Sequence, residues 1–277
     1  MATLEDLGRP FATGRTGVLH TWPGVPNRVV KLFPPDYPSE EIDVELAACR
    51  EVDRLGLTPI GCHGRVQVGE QSGIVFDRIE GDSLTRSAEK NPLRVRSGAR
   101  TLAVTHMRLH ETMTDGLVDV KRFAVEALSS RPMAFLSEQQ RQTATELIEA
   151  LPDGNRVLHM DFHTENVFAH AGDHAVIDWQ TAMRGDPAAD VAATYLLLND
   201  AELWPGTPWL KRVLIGMVRK IVLSTYLAEY QRLTGMTREQ IDAWRPVALI
   251  LRMSILDIPS ERDRMGAELA AILDGAR

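Results

Sequence analysis

Cysteine is scarce in this 277-residue chain, with only Cys49 and Cys62 present. Two thiols are too few for a disulfide framework and lack metal-ligand spacing, which points to a reducing, cytoplasmic setting. Aromatic residues make up 6%, poor material for the aromatic cage that quaternary ammonium groups favour. Positive charge is also short: 31 Lys and Arg face 38 Asp and Glu, a net charge of -7, so no nucleic-acid-binding face is expected. No G-x-x-x-x-G-K-[ST] run occurs, which argues against a P-loop enzyme. The opening segment MATLEDLGRP has neither the basic nor the apolar stretch of a signal peptide. The most apolar segments, 213–228 and 247–258, are broken by Arg219, Lys220, Arg252 and Asp257, so neither is expected to span a bilayer.

What is present describes a globular, enzyme-sized protein. Hydrophobic residues reach 44% and charged residues 25%, enough apolar area to offset chain entropy. Negative charge is uneven: residues 1–100 hold 13 basic and 14 acidic side chains, and residues 101–277 hold 18 and 24. The first 35 residues are turn and strand material around the β-branched run Val29-Val30-Lys31-Leu32-Phe33. From Ser39, Ile42, Leu46, Cys49, Val52 and Leu55 recur at helical spacing, and Gly56 closes the helix. Strands follow at 64–68 and 73–79. Beyond residue 83 helical patterns dominate: 97–112, a helix opened by the capping-box pair Ser137 and Gln140, then 188–199, 208–233 and 238–257. One β element interrupts them, running through 157–158, 166–169 and 175–178 with a turn at 171–173. The expected fold class is therefore α+β, a small antiparallel-sheet lobe over residues 1–80 and a larger, mainly helical lobe over residues 81–277.

Polar residues concentrate between 157 and 190: His159, Asp161, His163, Asn166, Asp178, Asp186 and Asp190. A turn centred on Gly172 would set Asn166 opposite Asp178, bringing together two hard oxygen ligands suited to magnesium beside nucleotide phosphates. Asp161, on the loop feeding this hairpin, is placed to accept a proton from a substrate hydroxyl.

The run His159-Met160-Asp161-Phe162-His163-Thr164-Glu165-Asn166 resembles the H-x-D-x-x-x-x-N catalytic loop of kinase-like phosphotransferases, the group containing aminoglycoside phosphotransferases and choline kinases. Val176-Ile177-Asp178-Trp179 resembles their metal-binding segment, and Gly185-Asp186-Pro187-Ala188-Ala189-Asp190-Val191-Ala192 the motif that follows. The resemblance covers nearly the whole chain and implies a bilobal protein-kinase-like fold. It implies ATP or GTP and Mg2+ as cofactors, with Asp161 as the base and His159 bracing its loop. Asn166 and Asp178 would hold the metal, and Asp190 would cap the loop from the next helix. Lys31 resembles the strand lysine that contacts phosphates, with Glu45 as its ion-pair partner. Phe76 to Gly81 resembles the adenine hinge, in which Asp77 and Ile79 would contribute backbone groups. Gly14-Arg15-Thr16-Gly17 is the best candidate for a phosphate loop.

Two departures stand out: Met160 where the family usually has Gly, and Gln180 where many relatives carry an acid. The implied activity is transfer of phosphate to a hydroxyl of a small molecule. A protein substrate is disfavoured, because protein kinases resembling this loop carry Lys at the place of His163. The acidic second lobe, with Asp200 and Glu202, suggests a cationic acceptor and hence an aminoglycoside or related amino-sugar antibiotic, with antibiotic resistance as the implied role. Sugars, nucleosides, choline or ethanolamine are the alternatives. Lower-ranked readings are a metallohydrolase using His159, Asp161 and His163 on one face of a strand, and an inactive kinase-like binding protein. Trp179, His106 and His110 read as structural, and Cys49 as a small buried hydrophobe. The chain is expected to act as a monomer or homodimer, without nucleic-acid or membrane partners.

Overall fold

The computed structural model describes residues 3–14, 16–200, 208–256 and 258–276. The chain divides into two compact units, residues 1–83 with 166–181, and residues 84–165 with 182–277. The second unit is thus interrupted by a hairpin that belongs to the first.

The first unit opens with β1 (Ala12–Thr13), β2 (Val18–Thr21) and β3 (Arg28–Leu32), followed by α1 (Ser39–Arg54), β4 (Cys62–Val68) and β5 (Gln71–Asp77). The strands form one antiparallel sheet in the order β1-β2-β3-β5-β4. Alternation along β3 sets its chemistry. Val30 and Leu32 point into a core with Leu7, Val68 and Val75, while Lys31, opposite Leu19 and Ile74 in the ladder, faces the other way. A second cluster, Phe33, Ile42, Leu46 and Ile74, joins the sheet to α1. Each such side chain contributes roughly 1.5–3 kcal/mol on burial. Gly73 is required by close packing, since a Cβ there would lie 2.8 Å from Val30 and 2.9 Å from the Lys31 carbonyl.

The second unit begins with α2 (Leu84–Lys90), α3 (Val95–Leu109), β6 (Val118–Asp119), α4 (Val120–Ala127), α5 (Glu138–Ala150) and β7 (Arg156–Leu158). Helix α3 buries Ala99, Leu102, Ala103, His106 and Leu109 along one stripe. Helix α5 starts at the capping box formed by Ser137 and Gln140.

The chain then returns to the first unit for the hairpin of β8 (Val167–His170) and β9 (Asp173–Val176). Its register corrects the sequence reading. Val167 pairs with Val176 and His170 with Asp173, so the loop holds only Ala171 and Gly172. Both have positive φ, 46° and 85°, as a two-residue hairpin turn whose twist matches its strands requires. Asn166 therefore lies opposite Ile177, whose N–H donates to its carbonyl at 3.0 Å, and not opposite Asp178.

The remaining elements, β10 (Met183–Gly185), α6 (Pro187–Asp200), α7 (Trp209–Thr234), α8 (Arg238–Ala243), α9 (Arg245–Leu256) and α10 (Pro259–Gly275), complete the second unit. Its small sheet runs β6-β10-β7. Helix α6 is apolar nearly all round and is buried along most of its length. The single helix expected over 238–257 is broken at Trp244, because Pro246 lacks an N–H to donate and starts a new helix in its first turn. No helix among the described residues is long and apolar enough to cross a membrane.

Candidate active site

In the first unit, the site is built around one lysine. Lys31 reaches Glu45 with Nζ 2.8 Å from Oε1 and 3.0 Å from Oε2. Glu45 lies on the buried stripe of α1, three residues after Ile42 and four before Cys49, so the helix carries a carboxylate into apolar surroundings. Burial pushes the Glu45 carboxyl up, Lys31 opposes that, and the charge of Asp178 adds to the rise. Such a pair is costly to break, because whichever partner stays behind is a buried charge.

Asp178 follows β9 in left-handed backbone, φ 65°. Its side chain is 38% exposed, with Oδ1 4.0 Å from Lys31 Nζ. Trp179 anchors this bend from the core, its indole N–H donating to the Val176 carbonyl at 3.0 Å. Asn166, at the other arm of the hairpin, is buried. Gln180 supplies a contact the sequence did not announce: its Oε1 accepts from Lys31 Nζ at 3.0 Å and from Thr16 Oγ1 at 2.9 Å.

Thr16 belongs to the glycine turn, closed by the Gly14 N–H donating to the Gly17 carbonyl at 2.9 Å. A Cβ at Gly17 would lie 2.6 Å from the Leu32 carbonyl, so the turn can pack on β3 only with glycine there. Arg15 lies outside the described residues. At the end of β5, Asp77 is engaged within the sheet: its carboxylate accepts from the Gly61 N–H at 3.0 Å and lies 2.6 Å from His63 Nε2, while its own N–H donates to the Gly61 carbonyl. The Arg78 N–H donates to the Asn27 carbonyl. The N–H groups of Asp77 and Arg78, in the segment named as the adenine hinge, are thus engaged within the first unit.

In the second unit, the loop after β7 is organised by Asp190. This fully buried carboxylate accepts from the backbone N–H groups of His159 and Met160, the latter at 2.9 Å. Met160 stands in left-handed backbone, φ 62°, a conformation a non-glycine residue holds at a cost of about 1–2 kcal/mol. Its side chain is buried and Phe162 is fully enclosed, so packing offsets part of that cost. His159 is also fully buried, and its Nδ1 accepts from the Asp161 N–H at 3.3 Å.

Asp161 itself is partly exposed, 3.6 Å from His163 Nε2. Burial alone would raise its carboxyl. The combined effect of His163, His159 and Arg252 outweighs burial and holds it below the ordinary value. The bend at Met160 also removes the strand geometry that a His159, Asp161 and His163 metal triplet would need.

Behind Asp190 lies a layer that sequence reading treated only as structural histidines. His106 Nε2 and His110 Nε2 lie 3.0 and 3.3 Å from Asp190 Oδ2, and His106 stacks on Phe162 with ring centroids 4.0 Å apart. The Nδ1 atoms lie 2.7 Å from the hydroxyls of Tyr226 and Tyr230. The clue was legible, since histidines four apart, His106 on α3 and His110 at its C-cap, meet tyrosines four apart on α7. Burial, reinforced by His110 and countered by Asp190, pulls His106 down to about 4. Burial would raise Asp190, but the two histidines hold it well below the usual carboxylate range.

Of the two acidic residues named for a cationic acceptor, Asp200 is paired with Arg245 at 2.8 Å and Arg264 at 3.2 Å, and Glu202 lies outside the described residues.

A family model described as the phosphotransferase enzyme family matches residues 8–250. The chain belongs to this family. Among solved structures, a thermostable mutant of aminoglycoside phosphotransferase APH(4)-Ia is similar with a TM-score of 0.66 and 14% identity, covering 96% of this chain and 94% of that one. An aminoglycoside-3'-phosphotransferase of type VIII gives 0.59 and 15% over 88% and 91%. An amicoumacin kinase solved with AMP-PNP and Ca2+ gives 0.58 and 12% over 99% and 89%. No curated protein matches by sequence. The family assignment and these likenesses give the phosphotransferase its kinase-like fold, with the antiparallel sheet in the first unit and the helices mainly in the second. The family assignment makes the chain a phosphotransferase, which stands against the metallohydrolase reading.

Proposed function

We propose that this phosphotransferase moves the terminal phosphoryl group of ATP or GTP to a hydroxyl of a small molecule. The observation that carries the reading is the buried Lys31–Glu45 pair with Asp178 at 4.0 Å from the same ammonium. A lysine held by a carboxylate it cannot leave is a fixed positive charge, and phosphoryl transfer depends on positioning and electrostatic stabilisation more than on covalent chemistry. Lys31 orients the nucleotide phosphates, the Gly14–Gly17 turn lies over them, and main-chain groups of residues 77–79 take the base.

Asn166 and Asp178 offer a neutral and an anionic oxygen, a donor set that fits magnesium, and Asp178 is exposed enough to reach a ligand. When bound there, the ion would neutralise phosphate charge. Asp161 accepts or orients the proton of the attacking hydroxyl, and its lowered carboxyl keeps it ionised for that task. His159 braces the loop and Asp190 supports it. In this reading residues 1–80 serve nucleotide binding and residues 81–277 serve catalysis and acceptor binding.

For the acceptor, amino-sugar antibiotics come first, supported by the likeness to aminoglycoside phosphotransferases, one of which was solved with hygromycin B and AMP-PNP. With Asp200 paired to Arg245 and Arg264, its charge does not favour them, so neutral sugars and nucleosides belong in the same screen. The test is nucleotide consumption in the presence of aminoglycosides, amino sugars, nucleosides and choline, alongside magnesium-nucleotide binding to wild type and Lys31→Met. Acceptor-dependent consumption, with binding weakened by Lys31→Met, supports the reading. Binding indifferent to Lys31, or no acceptor-dependent turnover in any class, contradicts it.

A further inference from the structure

The proposed transfer gives Gln180 no task. Its contacts suggest one. Lys31 has three N–H donors, and three oxygens lie within 3.0 Å of its nitrogen: Glu45 Oε1 at 2.8 Å, Glu45 Oε2 at 3.0 Å and Gln180 Oε1 at 3.0 Å. The same Gln180 oxygen takes the hydroxyl of Thr16, from the glycine turn, at 2.9 Å. An ammonium and a hydroxyl converging on one oxygen form the kind of donor pair that receives a phosphate oxygen. A nucleotide phosphate reaching Lys31 must displace one of the three acceptors. Removing Glu45 would strand a buried carboxylate, whereas Gln180 is neutral and only half-buried and can turn toward water.

We propose that the side-chain carbonyl of Gln180 is a placeholder, seated on Lys31 and Thr16 where a phosphate oxygen of the nucleotide binds, and swung aside when the nucleotide enters. The inference rests on the reading that Lys31 binds nucleotide phosphates. It makes a prediction of opposite sign to a simple bracing role. A brace strengthens binding, so its loss weakens affinity. A placeholder competes with the ligand, so its loss tightens affinity.

The test is equilibrium titration of the full-length protein with magnesium AMP-PNP, comparing wild type, Gln180→Ala, Gln180→Asn and Gln180→Glu, with adenosine as a phosphate-free control. The alanine and asparagine variants, one lacking the amide and one too short to reach, bind AMP-PNP about three- to tenfold tighter, the worth of one net hydrogen bond. The glutamate variant binds about tenfold weaker or worse, because a charged acceptor holds Lys31 more strongly and repels phosphate. Adenosine affinity stays the same throughout. Unchanged or weaker AMP-PNP binding by both the alanine and the asparagine variant, at wild-type melting temperatures, overturns the placeholder and makes Gln180 a brace, as does a parallel shift in adenosine affinity. Failure of wild type to bind AMP-PNP, or equal binding by Lys31→Met, overturns the nucleotide reading beneath it.

Discussion

Replacing Asp190 by alanine removes a carboxylate that holds the backbone of the proposed catalytic loop, and the consequence can be worked from the contacts. Two backbone N–H groups, of His159 and Met160, lose their acceptor in a site with no solvent access. Each orphaned donor costs about 1–3 kcal/mol. The left-handed backbone of Met160, paid for by those bonds, becomes free to relax away. Against this, removing a buried anion recovers part of its desolvation cost, although His106 and His110 had already been arranged around it. The balance is a loss of about 3–5 kcal/mol, the usual result of removing one partner from a buried polar cluster. At roughly 2–4 °C per kcal/mol for a chain of this size, melting falls by about 6–20 °C.

The kinetic signature follows from where the damage lies. Asp161 loses its placement, so kcat collapses, while Lys31, Glu45 and Gln180 belong to the other unit and the KM for nucleotide changes little. Differential scanning calorimetry and steady-state kinetics on Asp190→Ala check both parts. A variant melting within about 2 °C of wild type with kcat intact would refute the reasoning.

Three further outcomes follow. Glu45→Ala strands the Lys31 ammonium and should lose about 3–5 kcal/mol of stability. Lys31→Met should lose less, because burial already raises the Glu45 carboxyl and it can take up a proton; urea unfolding of the two variants compares them. His106 is lowered to about 4 in the folded protein against about 6.5 unfolded. The unfolded chain thus binds the extra proton between those values, and stability present above pH 6.5 is lost as pH falls toward 4, by about 3 kcal/mol in all. His106→Gln should flatten that part of the stability-pH curve, which urea titrations from pH 7 to 4 would reveal.

Much of this was legible from residue patterns, and the failures have physical causes. Lys31 and Glu45 were named through the family resemblance, and no residue pattern signalled that Glu45 lies on the buried stripe of α1. The hairpin was legible too, but its register slipped by one, because a turn at Ala171 and Gly172 can be counted as two residues or three until the backbone dihedrals are known. Pro246 signalled the break between α8 and α9 that periodicity alone ran across. Charge totals are silent on pairing: Asp200 adds to the negative balance, yet it is paired with Arg245 and Arg264, a contact between distant residues that no count reveals. Gln180 was noted only as a missing acid, since a contact 149 residues away from Lys31 leaves no local trace.

The central claim is that Asp161 serves transfer from a nucleotide held by Lys31. The most direct measurement is single-turnover transfer of labelled terminal phosphate from magnesium ATP to the best acceptor of the screen, for wild type and Asp161→Asn, with AMP-PNP affinity measured in parallel. The account predicts that Asp161→Asn loses transfer by about a hundredfold or more, in the range of a general base, while its AMP-PNP affinity stays close to wild type. Retention of most transfer activity by that variant would contradict it.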